Sequence, residues 1–147
     1  MVVDVSHISD EGFWDIIEIT KKPIIASHSN SRTLCNVLRN LSDEMYQAIC
    51  KTEGTVGINL YSDFLGVAPT VDTVCDHIFH FLDIAGDDGH ISPGSDFDGM
   101  SRLPAGIDGV QDYAKLAERL SERGLNDDSI ENIFWNNALG VIKRCSM

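Results

Sequence analysis

Two histidines in this sequence of 147 residues are placed where they could bind one metal ion. His7 ends the β-branched run 2–7, and His28 directly follows the similar run 23–27. Such runs predict β-strands, and neighbouring parallel strands lie about 4.8 Å apart, so both imidazoles can converge on one point. Two neutral imidazoles suit zinc better than calcium or magnesium. The spacing equally allows two hydrogen-bonded structural histidines, and it leaves this choice open.

A carboxylate and an arginine could extend such a site. Asp96 ends another short predicted strand, and a productive zinc site needs a carboxylate and a water besides its histidines. Arg39 lies in the loop after His28, where its guanidinium could hold a carboxylate with two hydrogen bonds. The alternative for Arg39 is a solvated arginine that flanks a helix, and the same alternative applies more strongly to Arg32.

Other polar motifs give weaker signals. The segment 94–99 does not fit a calcium loop, because Gly94 and Ala105 stand where carboxylate ligands are required. His77 and His80 lie three residues apart on a predicted helix, but nothing nearby completes a metal site, so we interpret both as structural. The sequence also lacks P-loop, dinucleotide-binding glycine and GxSxG patterns, which removes several common enzyme classes.

The elements that must position these residues are short strands alternating with helices, and this alternation predicts a parallel sheet. Four strand–helix units are followed by an extra terminal helix. The helical patterns 71–85 and 110–123 stop at Gly86 and Gly124. Helix N-caps are predicted at Ser9, Ser42 and Asn126 or Asp127. An open α/β sheet and part of a (β/α)8 barrel both fit, and a complete barrel needs roughly 200 residues or more.

The acidic composition argues against nucleic acids and anionic membranes as partners. The chain has 11 Lys and Arg residues against 23 Asp and Glu residues, for a net charge of −12. Nucleic-acid and lipid-headgroup sites both need clustered basic residues. Because no signal pattern and no apolar run of roughly 18 residues is present, we expect no membrane span and a cytoplasmic location. The four cysteines form no CxxC pair and are expected to stay reduced.

Several motifs together resemble the renal (membrane) dipeptidase family of zinc peptidases. They are DVSHIS around His7, PIIASHSNSR around His28, LRNLSDE around Arg39, VDTVCDHIFHFLDIAG, GSDFDG around Asp96 and the terminal NNALGVIKR. Their order and spacing agree with the family over essentially the whole chain. The resemblance implies a (β/α)8-like barrel with a two-zinc site that hydrolyses dipeptides with broad side-chain tolerance, and some members also open β-lactam rings.

The resemblance also implies roles for individual residues. His7 and His28 are similar to the two histidine ligands of one zinc. Arg39 is similar to the residue that holds the C-terminal carboxylate of the substrate. Asp96 resembles the acid beside the scissile bond, where it can interact with the amine that leaves.

The chain departs from the family in one respect. The family's HxD zinc motif and bridging glutamate come from the first half of the barrel, and no HxD occurs here. We therefore expect residues 1–147 to form a single partial domain, the C-terminal half of the barrel, with at most one partial zinc site and no activity in isolation. Cys35 matches a cysteine that is disulfide-bonded in the mammalian enzyme, but Val67 stands at the partner position, so no bridge is expected.

Two hypotheses about function follow. In the first, the chain is half of a zinc dipeptidase, and the remaining ligands come either from a second polypeptide or from the rest of a longer protein of which this chain is a fragment. In the second, it is an inactive half-barrel that self-associates as a structural module. A partial barrel exposes the edges of its two end strands, which favours pairing with another chain, and we expect a homo-oligomer.

Overall fold

The computed structural model describes residues 1–146 and contains four parallel strands alternating with helices. The strands are β1 (Val3–Asp4), β2 (Ile24–Ala26), β3 (Thr55–Asn59) and β4 (Ile91–Ser95). The helices are α1 (Asp10–Ile19), α2 (Asp43–Lys51), α3 (Ser62–Leu65), α4 (Val71–Ala85), α5 (Tyr113–Glu122), α6 (Asp127–Glu131) and α7 (Asn137–Ser146). Within the described residues no helix has both the length and the apolarity that a bilayer crossing requires.

The strands lie in the sheet in their chain order, β1-β2-β3-β4. A doubly wound open sheet reverses its strand order at a switch point, whereas consecutive units of a barrel keep one direction. The order without reversal therefore favours part of a barrel. One face of the strands is packed against the helices, and its fully buried side chains are Ile24, Ala26, Val56 and Ile91.

The predicted helix ends agree with the structure at several positions. Ser9, Ser42 and Asn126 each accept a hydrogen bond from a backbone N–H in the first turn of α1, α2 and α6. Gly86 ends α4 in the left-handed conformation, with φ 76°. The terminal helix differs from the prediction, because a π-helical turn, Asn132–Asn136, separates α6 from α7.

Helix α7 crosses the amino ends of the strands and closes that end of the sheet. The Asn137 amide donates to the Ile91 carbonyl at 2.8 Å, at the start of β4. Arg144 Nη2 donates to the Glu53 carbonyl at 2.8 Å, just before β3. The Cys145 thiol lies 3.5 Å from the Pro23 carbonyl, just before β2. The carboxyl ends of the strands are left for the candidate site.

Three of the five histidines, namely His77, His80 and His90, have structural roles. His77 is fully buried; its Nδ1 accepts from the Ser31 backbone N–H at 3.1 Å and its Nε2 lies 3.1 Å from the Leu65 carbonyl. These two contacts require a neutral imidazole that carries its hydrogen on Nε2. His80 pairs with Asp43, which agrees with the structural interpretation of the helical pair.

We expect replacement of His77 by alanine to destabilise the fold. We also expect the free energy of unfolding to fall less steeply as the pH is lowered. Removing the ring leaves a buried N–H of Ser31 without its acceptor, which costs about 1–3 kcal/mol. Burial lowers the pKa of His77, and the hydrogen bond to Leu65 only partly opposes this. Because the unfolded chain titrates near pH 6.5, it binds the proton more readily than the folded chain does. The contribution of His77 to the free energy of unfolding is thus fully present above about pH 6.5. It decreases as the pH falls towards the lower pKa that His77 has in the folded chain.

Urea unfolding of the wild type and of His77→Ala at pH 7.5 and pH 5.5 checks this prediction. The difference in unfolding free energy between the two proteins should be smaller at pH 5.5. A constant difference at both pH values would contradict it. His80→Ala is the matched control, since that imidazole is partly exposed and pairs with Asp43.

Candidate metal and substrate site

His7 and His28 meet at the carboxyl end of the sheet, as the sequence predicts. Their Nε2 atoms lie 2.9 Å apart, and their rings are tilted by 57°. Two nitrogens bound to one tetrahedral zinc at about 2.0–2.1 Å each lie about 3.3 Å apart. If the distance between the two Nε2 atoms increased by a few tenths of an ångström, both histidines could therefore bind one ion. The pair fits two positions of a zinc site.

The described residues supply only part of a metal site. Across residues 1–146, no group of three or more His, Cys, Asp or Glu side chains converges as a metal site would require. Asp96 comes near, with Oδ2 3.9 Å from His28 Nε2. The donor set of this chain is thus two imidazoles with a carboxylate beside them, and further ligands would have to come from other residues.

His28 is held by a hydrogen-bond network that the sequence analysis missed. Its Nδ1 lies 2.7 Å from Ser27 Oγ, and Ser27 Oγ donates to Asp4 Oδ2 at 2.5 Å. Asp4 Oδ1 also accepts from the backbone N–H groups of Ser27 and Ser6, at 3.0 and 3.1 Å. The His28 backbone N–H donates to Ser6 Oγ at 3.0 Å. The available signal was polar residues inside otherwise apolar strand runs, since such residues need partners.

The charges around the histidine pair favour a neutral His28 beside an ionised Asp4. Burial lowers the pKa of His28; Asp96 opposes this, while Arg39 and His7 lower the pKa further. Displacement of water raises the pKa of Asp4, but the hydrogen bonds from Ser27 and from Ser6 together hold that pKa below its usual range. A neutral imidazole is the form in which histidine binds a metal.

Asp96 follows β4 in an unusual backbone conformation. Ser95 and Asp96 both have positive φ, 38° and 71°. Non-glycine residues in this region cost of order 1–3 kcal/mol each and cluster at functional sites. A Cβ atom at Gly99 would collide with the Asp96 carboxylate and displace it from this position. The backbone therefore turns this carboxylate towards His28.

Asn59, at the end of β3, fixes the Asp96 side chain, and it too was missed. The Asn59 amide nitrogen donates to Asp96 Oδ2 at 3.3 Å. Its own oxygen accepts from the Tyr61 N–H at 2.6 Å, and its backbone N–H donates to Asn30 Oδ1 at 3.1 Å. Asn59 is fully buried. Because its oxygen is already engaged, the amide can present only its NH₂ group to Asp96.

Arg39 is a partly buried cation beside the histidines and is not a solvated helix-flanking arginine. Its Nη1 donates to Ser29 Oγ at 2.9 Å, and its Nη2 donates to the His28 carbonyl at 2.8 Å. The guanidinium carbon lies 5.6 Å from the centre of the Phe64 ring. Within the described residues Arg39 Nε has no hydrogen-bond partner and no carboxylate pairs with the guanidinium. Arg39 therefore keeps its capacity to bind an anionic group.

Arg32, in the same loop, has the opposite environment. Both of its terminal nitrogens bind the Asp10 carboxylate, at 2.7 and 2.8 Å. Its Nε donates to the Asn40 carbonyl at 2.8 Å, and Nη2 also donates to the Leu38 carbonyl at 3.0 Å. Arg32 is thus occupied within the protein, and it ties the loop that carries Arg39 to helix α1.

An open cleft adjoins His7. It has a volume of about 610 Å³, and its lining residues include His7, Asp10, Leu38 and Arg39. Ligand clefts for small molecules commonly enclose about 300–1,000 Å³. The cleft is therefore large enough for a dipeptide whose carboxylate faces Arg39.

Known proteins match this chain over nearly its whole length. A family model described as membrane dipeptidase, peptidase family M19, matches residues 1–146. An uncharacterized dipeptidase of Schizosaccharomyces pombe is 34% identical over 146 residues, which cover 97% of this chain and 36% of that protein.

Two solved structures share the fold. A metallopeptidase described as dipeptidase AC superposes with a TM-score of 0.90 at 30% identity, over 96% of this chain and 43% of that one. A Rhodobacter sphaeroides metallopeptidase, liganded with a phosphinate mimic of the dipeptide L-Ala-D-Ala, superposes with a TM-score of 0.89 at 30% identity, over 96% and 41%. The chain spans less than half of each of these relatives. The match confirms the predicted fold class, an α/β chain that forms part of a barrel-like domain.

Proposed function

Because the chain belongs to the membrane dipeptidase family of metallopeptidases, we propose that it supplies part of the active site for zinc-dependent hydrolysis of dipeptides. The observation that carries this proposal is the convergence of His7 and His28, with Nε2 atoms 2.9 Å apart at the carboxyl end of the sheet. The R. sphaeroides relative, which is liganded with a dipeptide mimic, supports a dipeptide as the substrate. The substrate site then lies in the cleft beside His7.

Each residue of the site has a distinct task in this proposal. His7 and His28 hold one zinc ion through their Nε2 atoms. Held there, zinc would supply Lewis-acid polarisation of the peptide carbonyl and would lower the pKa of a water to near neutrality. Asp96, fixed by Asn59, handles the proton at the nitrogen of the leaving amine. Arg39 binds the C-terminal carboxylate, which restricts the substrates to short peptides with a free end.

The proposal gives Arg39 a measurable effect on substrate binding. Arg39→Met should raise KM for L-Ala-D-Ala about 10- to 100-fold, because a charge-assisted hydrogen-bond pair to the substrate contributes about 1.5–3 kcal/mol. The C-terminal amide of the same dipeptide should be a poor substrate for the wild type and should be little affected by the substitution. Steady-state kinetics of the assembled enzyme with both substrates check this prediction.

Arg102→Met is the matched control, since Arg102 is exposed and pairs with Asp63. It should leave both substrates unaffected. An equal loss on the free and amidated dipeptides in Arg39→Met would contradict the proposed role. That result would make Arg39 a residue of the fold alone.

The proposal as a whole is tested on the protein purified from its native host with zinc present. Native mass spectrometry reports which polypeptides and how many zinc ions are in the assembly, and hydrolysis of L-Ala-D-Ala is measured on the same sample. Zinc and turnover in an assembly with a second, different polypeptide, or in a longer protein that contains this chain, would support the dipeptidase proposal. The added residues would then supply the ligands that His7 and His28 lack.

One observation favours a second candidate function. Within residues 1–146, strands β1 and β4 each pair with one neighbour only, which leaves two edges of the sheet available. Under this alternative, the chain self-associates as a homo-oligomer without peptidase activity. A homo-oligomer with neither zinc nor turnover in the same experiment would favour it over the dipeptidase proposal.

A further inference from the structure

We propose that Asp4 and Ser27 are positioning residues that fix His28 in one tautomer, with hydrogen on Nδ1 and the Nε2 lone pair directed towards His7. This inference rests on the proposed function, since it concerns how His28 is prepared for the metal. It assigns a role to two residues that neither touch the substrate nor bind the ion.

Ser27 sets the direction of the network because it has only one O–H hydrogen. An ionised carboxylate accepts hydrogen bonds but cannot donate, and Asp4 Oδ2 lies 2.5 Å from Ser27 Oγ. The Ser27 hydrogen must therefore point to Asp4. Towards His28 Nδ1, at 2.7 Å, the same oxygen can only accept. The hydrogen between them is thus supplied by His28 Nδ1.

The backbone holds Asp4 in this orientation. Asp4 Oδ1 accepts from the N–H groups of Ser6 and Ser27, which leaves Oδ2 to face the Ser27 hydroxyl. Ser6 Oγ lies 3.3 Å from Ser27 Oγ and accepts from the His28 backbone N–H, so its own hydrogen is free to point to Ser27. This contact leaves the donor and acceptor roles of Ser27 unchanged.

His7 has no such support and must adapt instead. Its side chain is exposed, and within residues 1–146 only its Nε2 makes a hydrogen bond. If His28 Nε2 carries a lone pair, the hydrogen in the 2.9 Å contact between the two rings comes from His7 Nε2. To bind an ion through Nε2, His7 must lose that hydrogen and take one up on Nδ1 from water. The metal-free chain should thus hold the two histidines in opposite tautomers.

The tautomers are measured by long-range ¹H–¹⁵N correlation on the zinc-free chain labelled with ¹⁵N-histidine, at pH 8. We expect an Nδ1–H imidazole for His28 and an Nε2–H imidazole for His7. Ser27→Ala should leave His28 as a mixture of both tautomers, and Ser27→Thr, which keeps the hydroxyl, should restore the wild-type state. Asp4→Asn should switch His28 to the Nε2–H tautomer, because the oxygen of the new amide keeps accepting from the two backbone N–H groups while its NH₂ group faces Ser27. The Ser27 hydrogen then turns to His28 Nδ1.

Zinc titration calorimetry on the assembled enzyme that carries the same substitutions gives a second measurement. Fixing the non-ligating nitrogen of a metal-binding histidine typically changes affinity 10- to 100-fold. We expect about 10-fold weaker binding for Ser27→Ala and Asp4→Asn, because water can partly replace an exposed Asp4, and a near wild-type affinity for Ser27→Thr. Asp43→Asn is the matched control, since Asp43 contacts His80 Nε2 at 2.8 Å. It should leave the His28 tautomer and the zinc affinity unchanged.

The two measurements separate this inference from the proposed function. An Nε2–H tautomer of His28 in the wild type overturns the inference, whatever the zinc affinity. Unchanged tautomers in both Ser27→Ala and Asp4→Asn overturn it as well. The expected tautomers in the chain, together with an assembled enzyme that takes up no zinc, would support the positioning role and count against the zinc dipeptidase. Should Ser27→Ala fail to fold, the wild-type tautomer and Ser27→Thr still decide.

Discussion

Replacement of Asp96 by asparagine is expected to lower turnover of L-Ala-D-Ala by the assembled enzyme about 10²- to 10⁴-fold, the usual contribution of a general acid or base. The substitution keeps the shape of the side chain, and asparagine tolerates the left-handed backbone that this position requires, with φ 71°. An amide cannot pass a proton to the leaving amine. The loss should therefore appear in kcat, with KM changed much less.

Steady-state kinetics of Asp96→Asn and of Asp98→Asn check this prediction. Asp98 is the matched control, because it lies two residues away in the same loop and its side chain is exposed. Asp98→Asn should retain wild-type turnover. A kcat within a few-fold of the wild type in Asp96→Asn would remove this carboxylate from the chemistry, and an equal loss in both variants would point to the loop instead.

Replacement of His28 by alanine is expected to abolish tight zinc binding by the assembled enzyme at the site built on His7 and His28. Tetrahedral protein zinc sites have binding free energies of about 10–16 kcal/mol in total, so one ligand of four contributes about 2.5–4 kcal/mol. The affinity should thus fall about 10²- to 10³-fold. Turnover should fall with it, since the ion is lost from the reacting centre. Zinc content after dialysis and titration calorimetry report the change.

His80→Ala is the matched control for the histidine substitution. His80 is partly buried and pairs with Asp43, away from the strand ends. Its removal should leave zinc affinity unchanged. If His28→Ala retains the zinc content and the turnover of the wild type, the ligand role of His28 is refuted and the contact with His7 is only structural.

The sequence predicted the parts of the fold that depend on local pattern. The alternation of β-branched runs and helical patterns predicted four parallel strands, and the structure contains them. Ser9, Ser42 and Gly86 mark helix ends where the sequence predicted them, because capping depends on one side chain or one backbone angle. The break in the terminal helix at Asn132–Asn136 was not predicted. The apolar spacing of this segment is that of a continuous helix, and no residue in it marks the π-helical turn.

Residue type and position at a strand end were likewise enough to select His7, His28 and Asp96 as candidates. In parallel strands of consecutive units, the carboxyl ends lie at one end of the sheet, so these side chains were expected at that same end if the alternation was right. The 2.9 Å contact between the two histidines agrees with that expectation. Their roles as ligands and acid remain predictions.

Only the tertiary structure distinguished Arg32 from Arg39 and revealed the residues that support the site. Both arginines lie in one loop, yet Arg32 is occupied by Asp10 and Arg39 is not paired with a carboxylate among the described residues. Asp4 reaches Ser27 across 23 residues of chain, and Asn59 reaches Asp96 across 37. Local sequence determines which elements form and which side chains stand at their ends. Which hydrogen bonds join those side chains depends on distances between strands and loops that only the folded chain sets.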